Sequence, residues 1–353
     1  MILKDGVKNA ETKVSSESKA LSDFVKDGSK PLVDRLESYE DIINIEIGDT
    51  ALTRAKSLER EFDIRQLYIK YEGDNPTGTQ KDRIAFAQVY DALRRGFDTI
   101  CLATCGNYGV AVALAANLAG LRCIIAIPKT YHTERGQEME SLGAEILLLH
   151  GDYEKVVQES SVLAKTNEWY DANPGGANTA LQIQTYAQIA HEIVDELGDA
   201  PKYCAVPVSN GTLLAGIYRG FAGLYKRGKI FRIPKMIAAS STRKNPIIQS
   251  FTLGLDQCQD LLPEKIRETK YNEPLINWHS FDGDEALYAL RQSNGEAYNI
   301  SDQKMRRMTS LLLKKEGMRI LPASTAGLIA LLELDAKQNF EPDRYVAVVT
   351  AKN

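Results

Sequence analysis

Short apolar runs alternate with amphipathic segments along most of the chain, and this alternation restricts the fold more than any other feature. The runs predict strands buried on both faces and are TICLAT (99–104), CIIAIP (123–128), AEILLLH (144–150), YCAVPV (203–208), KMIAAS (235–240) and YVAVVT (345–350). Helical patterns lie between them, as in ALQIQTYAQIAHEIVDELG (180–198), whose apolar residues form one stripe before a glycine. Such alternation is typical of an α/β fold with mostly parallel sheets.

Length and charge narrow the class further. The chain has 353 residues, 44% of them hydrophobic, which exceeds the roughly 250–300 residues that one core supports and predicts two domains. The net charge of -4 gives no electrostatic reason to bind nucleic acid or acidic membranes, so we expect small-molecule partners. The segment 252–300 interrupts the alternation and predicts irregular loops with short helices.

The cysteines, histidines and N-terminus predict a cytoplasmic protein without a metal site. Five cysteines form no CxxC pair, as expected for reduced thiols. The four histidines have no mutual spacing typical of metal ligands; they are His132, His150, His191 and His279. We predict neither a signal peptide nor a membrane span, because no apolar run approaches 18 residues.

The stretch NPTGTQKDR (75–83) places a lysine where a turn becomes a helix. Turn formers occupy 75–78, and apolar residues at helical spacing follow Arg83, so Lys81 belongs to a first helical turn. A cation there faces the positive end of the helix dipole, which costs roughly 0.3–1 kcal/mol. The site therefore favours a neutral amine, as a Schiff-base nucleophile requires. The alternative is a solvated lysine tolerated by Asp82.

Three further turns are small and polar where a predicted strand ends. They are ATCGNYG (103–109), PVSNGTLLAG (207–216) and VTAKN (349–353). Ligands of open parallel sheets bind at the carboxyl ends of strands. The turn Ser209-Asn210-Gly211-Thr212 precedes a helix, so its N–H groups could hold a phosphate; ordinary helix capping explains the same residues. Asn107 has the same alternative, a helix cap.

In order and spacing these turns resemble the fold type II pyridoxal phosphate enzymes, and within that group threonine synthase. The matching stretches are GDTALTRAKSL (48–58), KYEGDNPTGTQKDR (70–83), TCGNYGVAVALAANLAG (104–120), EIVDELGDAPKYCAVPVSNGTLLAG (192–216), LPASTAGLIAL (321–331) and VVTAKN (348–353). The resemblance implies pyridoxal 5'-phosphate as cofactor and two doubly wound domains, as in the tryptophan synthase β type. On that pattern we expect a large cofactor domain of residues 1–90 plus 180–353 and a small mobile domain of residues 91–179.

The resemblance also implies roles for single residues. Lys81 matches the lysine that forms the Schiff base with the cofactor and then removes the substrate α-proton. Asn107 matches the side chain that hydrogen-bonds the pyridine 3' oxygen, and Thr350 the hydroxyl that faces the pyridine nitrogen. A neutral partner for that nitrogen suits elimination and replacement chemistry.

Two loops complete the implied site. The loop expected to bind the cofactor phosphate through backbone amides is Ser209, Asn210, Gly211, Thr212 and Leu213. The loop expected to receive the substrate carboxylate on N–H groups is Thr104, Cys105, Gly106, Asn107 and Tyr108. Ser209 stands where the family more often has glycine.

Several positions near the substrate depart from the threonine synthase pattern. Thr79 and Gln80 replace the usual Ser and Phe, Tyr108 stands where threonine is usual, and Leu321 replaces a glutamate. The arginine that usually follows the Asn-Pro pair, here residues 173–174, is missing. These departures leave open a paralogue of threonine synthase that uses another activated amino acid.

The lost positive charge has a candidate replacement. Arg243 and Lys244 follow the predicted strand KMIAAS, where a loop opens to the ligand edge of the sheet, and an arginine fork matches phosphate geometry. The alternative is a solvated basic turn, in which case the anion site would lie among Thr79, Asn178 and Thr179.

The resemblance implies a homodimeric enzyme of amino-acid biosynthesis, a lyase or transferase that performs replacement or elimination on a phosphorylated amino acid. Threonine formation from O-phosphohomoserine is the first expectation. The alternatives are β-replacement on O-phosphoserine, as in cysteate or cysteine synthases, and threonine or serine ammonia lyase activity. An idle regulatory protein that binds pyridoxal phosphate is the non-enzymatic alternative.

Overall fold

The computed structural model describes residues 13–131 and 135–353, so His132 lies outside the described residues. The chain forms two compact units. The first comprises residues up to Gly48 and Asn75–Gln182, and the second comprises Asp49–Asp74 and Ile183–Asn353. The chain passes between the units at residues 48–49, at residues 74–75 and within a helix at residues 182–183.

The described residues form ten strands and thirteen α-helices. The strands are β1 (Leu52–Arg54), β2 (Leu67–Tyr71), β3 (Thr99–Ala103), β4 (Arg122–Pro128), β5 (Glu145–Leu149), β6 (Tyr170–Asp171), β7 (Tyr203–Pro207), β8 (Lys235–Ser241), β9 (Glu296–Ile300) and β10 (Tyr345–Val349). The helices are α1 (Ser16–Lys26), α2 (Leu32–Glu46), α3 (Lys56–Phe62), α4 (Lys81–Arg94), α5 (Asn107–Ala119), α6 (Arg135–Ser141), α7 (Tyr153–Thr166), α8 (Thr179–Leu197), α9 (Thr212–Lys226), α10 (Pro246–Thr252), α11 (Gly283–Gln292), α12 (Asp302–Glu316) and α13 (Ala326–Gln338).

Each unit has its own sheet, and the predicted α/β fold with mostly parallel sheets is confirmed. The first unit has a four-stranded parallel sheet in the order β5-β4-β3-β6. The second has six strands in the order β1-β2-β10-β7-β8-β9, in which only the β1–β2 pair is antiparallel. The six predicted runs correspond to β3, β4, β5, β7, β8 and β10.

Burial follows the position of each element in its sheet. Strand β3 is buried along its length, and helix α5, which is apolar on nearly every side, is buried almost throughout. Strand β5 is half-exposed, so the prediction that it is buried on both faces is wrong. It lies at the sheet edge, where Glu145 pairs with Arg122 of β4 at 2.6 Å.

The segment 252–300 is more regular than predicted. It contains helix α11 and strand β9, which pairs with β8 at the edge of the larger sheet. Strand β9 (EAYNI) alternates between buried and more exposed residues. It was not predicted because its polar residues interrupt any continuous apolar run.

The observed units and the predicted domains differ on the N-terminal side. Residues 13–48 and 75–90, expected in the larger domain, belong to the first unit. Helix α4 explains this, because it packs against α5 of the same unit. The mobility expected of the smaller domain stays a prediction. In the described ranges no helix is long and apolar enough to span a membrane.

Candidate active site

The lysine turn is built as the sequence predicts. Lys81 is the first residue of helix α4, and the turn before it closes with a 2.8 Å hydrogen bond from the Gly78 N–H to the Asn75 carbonyl. Gly78 has φ of +82°, a conformation that residues with a Cβ rarely adopt. The helix therefore starts at the lysine because the glycine reverses the chain just before it.

Asp82 stabilises this turn from inside the protein. Its carboxylate is fully buried and accepts hydrogen bonds from the Thr77 N–H at 2.9 Å and the Thr77 hydroxyl at 2.7 Å. Burial raises the pKa of Asp82 to about 7, and the hydrogen bonds from Thr77 oppose that rise. Asp82 is thus a buried structural part of the turn, whereas Lys81 itself is half-buried.

The ring of Tyr108 lies beside the lysine amine. Lys81 Nζ is 5.3 Å from the centroid of the Tyr108 ring. An ammonium at this distance gains roughly 0.5–2 kcal/mol from the ring. The helix N-terminus costs the same ammonium roughly 0.3–1 kcal/mol. The attraction of the Tyr108 ring for an ammonium therefore roughly offsets the unfavourable effect of the helix N-terminus, and the helix dipole alone does not make the Lys81 amine neutral.

The TCGNY loop joins β3 to helix α5. Gly106 occupies the N-cap position and Asn107 begins the helix, so the Asn107 carboxamide is not the N-cap. The Gly106 N–H reaches the Thr104 hydroxyl at 3.4 Å, and the Gly109 N–H donates to the Gly106 carbonyl at 3.0 Å. The first N–H groups of a helix lack acceptors within it, which leaves those of Asn107 and Tyr108 as donors for an anion.

The space beside Gly106 in this loop is open, whereas Gly109 is closely packed. A Cβ added to Gly106 would meet no described atom within 4 Å, whereas one added to Gly109 would lie 2.7 Å from the Thr104 methyl group. Cys105 of this loop is buried, and its thiol forms no disulfide within the described residues.

The turn of the second unit joins β7 to helix α9. Gly211 is its N-cap, with φ of +102°, and Thr212 begins the helix. A Cβ at Gly211 would lie 2.7 Å from the Asp282 carbonyl oxygen and 2.9 Å from the Ala286 Cβ. Only glycine fits there, and the N–H groups at the start of α9 are arranged to receive an anion.

Side chains from distant segments hold this second turn. The Thr212 hydroxyl donates to the buried side-chain carboxylate of Asp282. The backbone N–H of Asp282 in turn donates to the Asn210 carbonyl at 3.0 Å. Asn277 Nδ2 donates to Asn210 Oδ1 at 3.2 Å, and Asn245 Nδ2 donates to the Ser209 carbonyl at 3.0 Å. Because the Thr212 proton is used by Asp282, the backbone N–H groups remain as the donors for a phosphate.

A hydroxyl pair follows the last strand. Thr350 Oγ1 lies 2.8 Å from Oγ of the buried Ser324. A single antiparallel bridge between Ile320 and Lys352 fixes this end of the chain, and the Leu321 N–H donates to the Ala351 carbonyl at 3.1 Å. The hydroxyl expected at the cofactor ring is therefore held by a second hydroxyl.

The comparison with known families matches nearly the whole chain. The sequence profile of the pyridoxal-phosphate dependent enzymes matches residues 43–351. The chain belongs to this family. Its cofactor is pyridoxal 5'-phosphate, and the residues fit that group because the described chain contains the expected set: a lysine amine, two helix starts and a hydroxyl pair.

A curated relative agrees with the resemblance seen in the sequence, and solved structures share the fold. The chain is 28% identical to a threonine synthase of Methanocaldococcus jannaschii over 312 residues, which cover 88% of this chain and 75% of that protein. The structure is similar to maize serine racemase, with a TM-score of 0.72 and 18% identity over 91% of this chain and 94% of the other. It also resembles threonine deaminase isoform 2 of Solanum lycopersicum, with a TM-score of 0.70 and 16% identity over 91% and 85%.

Arg243 and Lys244 follow the end of β8 at Ser241, and their role in binding a substrate phosphate stays a prediction. Arg243 is exposed with φ of +58°, and its N–H donates to Asn299 Oδ1 at 2.9 Å. Lys244 Nζ donates to the Arg267 carbonyl at 2.6 Å. Arg243 is thus the better candidate of the two.

The alternative anion residues are less suitable. The buried Thr79 hydroxyl donates to Gln80 Oε1 at 2.8 Å. Asn178 Nδ2 donates to Gln88 Oε1, and its Oδ1 has no partner among the described residues. An acceptor oxygen does not attract a phosphate. Within the described ranges, no three His, Cys, Asp or Glu residues are grouped as metal ligands.

Sequence reasoning missed the residues that hold these turns. A local sequence signal for the role of Asp82 was present. Aspartate is favoured in the first turn of a helix, and the threonine five residues before Asp82 can donate to its carboxylate. Asp282, Asn277 and Ser324 gave no local signal for this role, since the site residues whose side chains they hold, Thr212, Asn210 and Thr350, lie 26 to 70 positions away.

Proposed function

We propose that this family member catalyses replacement or elimination on an amino acid with an activated side chain, and that threonine formation from O-phosphohomoserine is its first candidate reaction. The observation that carries the proposal is Lys81 at the start of helix α4, in a turn stabilised by a buried aspartate. The family match and the threonine synthase relatives support it.

The residues have distinct tasks in the proposed reaction. Bound pyridoxal phosphate supplies the electron sink for the carbanion that forms at the substrate Cα. Lys81 Nζ takes the α-proton and returns it. The N–H groups of Asn107 and Tyr108 orient the substrate carboxylate, and those at the start of α9 bind the cofactor phosphate. The Thr350 hydroxyl, held by Ser324, is a neutral hydrogen-bond partner for the pyridine nitrogen.

A second candidate is β-replacement on O-phosphoserine. The observation that favours it is the Tyr108 ring beside Lys81, at a position where threonine is usual in threonine synthases. A ring in place of a small side chain leaves less room for the longer substrate. We also propose that the enzyme is a homodimer, to be checked by light scattering.

The deciding experiment compares the wild-type enzyme with Lys81→Ala on a substrate panel. O-phosphohomoserine is tested alone, O-phosphoserine with sulfide or sulfite, and serine and threonine alone, with phosphate, amino-acid and keto-acid products measured. We expect phosphate and threonine from the first substrate, and a loss of at least ~10²-fold in Lys81→Ala, as for removal of a general base.

The other outcomes separate the alternatives. Keto acid from serine or threonine without phosphate chemistry would identify an ammonia lyase. Wild-type turnover no faster than that of Lys81→Ala on every substrate, with cofactor bound, would contradict the enzyme proposal in favour of the regulatory alternative.

A further inference from the structure

The first unit contains a cluster of buried carboxamides that the proposed reaction does not use. The members, which we call the buried amide cluster, are Gln88, Asn173, Asn178 and Gln182. They come from helix α4, the loop after β6 and the start of helix α8. The carboxamides of Gln88, Asn178 and Gln182 are hydrogen-bonded to one another, and Gln182 Nε2 also reaches the Asn173 carbonyl at 3.4 Å. Buried carboxamides are costly unless they are hydrogen-bonded, so this connected group calls for a physical reason.

Gln88 donates from one end of its carboxamide and accepts at the other end. Gln88 Nε2 donates to the Ile84 carbonyl at 3.1 Å and also donates to the Tyr108 hydroxyl. Gln88 Oε1 accepts from Asn178 Nδ2 and, at 3.2 Å, from Gln182 Nε2. A carbonyl oxygen can only accept, so the Ile84 contact fixes which end of the Gln88 carboxamide faces Tyr108.

The chain of hydrogen bonds ends by holding Tyr108. Its hydroxyl donates to the Ala172 carbonyl at 2.7 Å while it accepts from Gln88. The single proton of the hydroxyl is therefore used, and burial raises the pKa of Tyr108 well above its ordinary value. Tyr108 is held at its far end as a rigid ring, and its hydroxyl is not available as an acid or as a donor to a ligand.

The held ring lies beside the amine of Lys81. A base must come within about 3 Å of the proton that it removes. The substrate Cα is therefore close to Lys81 Nζ, which is 5.3 Å from the Tyr108 ring centroid. Atoms one or two bonds beyond Cα then come within reach of the ring.

From this geometry we propose that Gln88 is a positioning residue which, through the Tyr108 hydroxyl, sets the length of amino-acid side chain that the enzyme accepts. The proposal rests on the proposed function in one respect, that Lys81 acts on an amino acid. It predicts that discrimination against one additional methylene falls when the Tyr108 ring is released. A methylene in an apolar pocket is worth about ten-fold or more in selectivity.

The test measures ligand binding, so it does not depend on which reaction is catalysed. L-serine and L-homoserine are titrated into the holoenzyme, and the two dissociation constants are read from the change in cofactor absorbance. We expect Gln88→Met and Tyr108→Phe each to lower the homoserine-to-serine Kd ratio by at least five-fold. The double variant should match the single variants, because Gln88 acts through the hydroxyl that Tyr108→Phe removes.

A matched control separates positioning from general loosening of the unit. The buried Tyr39 also donates its hydroxyl to a backbone carbonyl, that of Ala115 at 3.1 Å, so Tyr39→Phe removes the same kind of bond from the same unit. Its Kd ratio should stay within two-fold of wild type.

The results separate this inference from the proposed function. An unchanged ratio in Gln88→Met would overturn the inference, and so would a ratio changed equally by Tyr39→Phe. Failure of the proposed function would appear only in the substrate panel, whatever the Kd ratios are.

Discussion

The two turns that begin helices α4 and α9 use the same parts in different ways. Each has a glycine with positive φ, and in each a threonine hydroxyl donates to a buried aspartate. In the lysine turn the Thr77–Asp82 pair spans five residues. In the second turn the Thr212–Asp282 pair spans 70 residues, and asparagines from other loops join it.

The lysine turn is stabilised by neighbouring residues, whereas the second turn is stabilised by residues distant in sequence. The lysine turn contains its own stabilising groups, so it forms whenever the local backbone forms. The second turn depends on the segment around Asp282 being packed against it. We therefore expect substitutions far along the chain to disturb the turn before α9, which is expected to bind the cofactor phosphate, more than they disturb the lysine turn.

The largest effect is expected at Gly211. Gly211→Ala forces a Cβ to within 2.7 Å of the Asp282 carbonyl oxygen at φ of +102°. Left-handed backbone costs roughly 1–2 kcal/mol, and overpacking typically adds about 1–3 kcal/mol. Cofactor affinity, measured by equilibrium dialysis, should fall by at least ten-fold.

Gly228→Ala is the matched control for that change. Gly228 also has positive φ, +67°, but a Cβ there would meet no described atom within 4 Å. Gly228→Ala should lower the free energy of unfolding only by the cost of left-handed backbone, roughly 1–2 kcal/mol, and leave cofactor affinity unchanged. Equal losses of affinity in the two variants would show that the contact with the Asp282 segment does not matter for the second turn.

A pH-dependent effect is expected in the lysine turn. The pKa of Asp82 is raised to about 7 by burial, so between about pH 4 and 7 the unfolded chain is ionised at this residue while the native protein holds the proton. The native state then binds more protons, and the free energy of unfolding falls as pH rises, by at most about 1.4 kcal/mol per pH unit. Above pH 7 this contribution is constant.

Asp82→Asn should remove that slope. Urea unfolding at several pH values between 4 and 8 measures it, with Asp152→Asn, at a half-exposed N-cap of the same unit, as the comparison. If wild type and Asp82→Asn lose stability in parallel from pH 4 to 7, Asp82 does not hold a proton in the native lysine turn.

The smallest effect on the cofactor is expected at Thr212. Its hydroxyl proton is used by Asp282, so Thr212→Val removes a stabilising bond worth about 1–3 kcal/mol and keeps the backbone N–H. Cofactor affinity should change by less than three-fold while the free energy of unfolding falls. A loss of affinity similar to that of Gly211→Ala would mean that the hydroxyl itself contacts the cofactor phosphate.

Much of the fold and part of the candidate site could be predicted from the sequence. Apolar runs located six strands, because buried parallel strands need continuous apolar residues. Lys81 and the start of α9 could be placed because turn residues and helix starts are local features. Strand β9 could not be found in this way, and β5 was given too much burial, since edge position depends on which strands pair.

The sequence by itself determined the alternation of strands and helices, the lysine at a helix start and the glycines that the turns require, because these depend on neighbours along the chain. Tertiary structure alone decided that Asp282 holds Thr212, that Ser324 holds Thr350 and that Gln88 holds Tyr108. Each of these bonds joins residues at least 20 positions apart, and a buried polar group takes whichever partner the packing brings within hydrogen-bond distance.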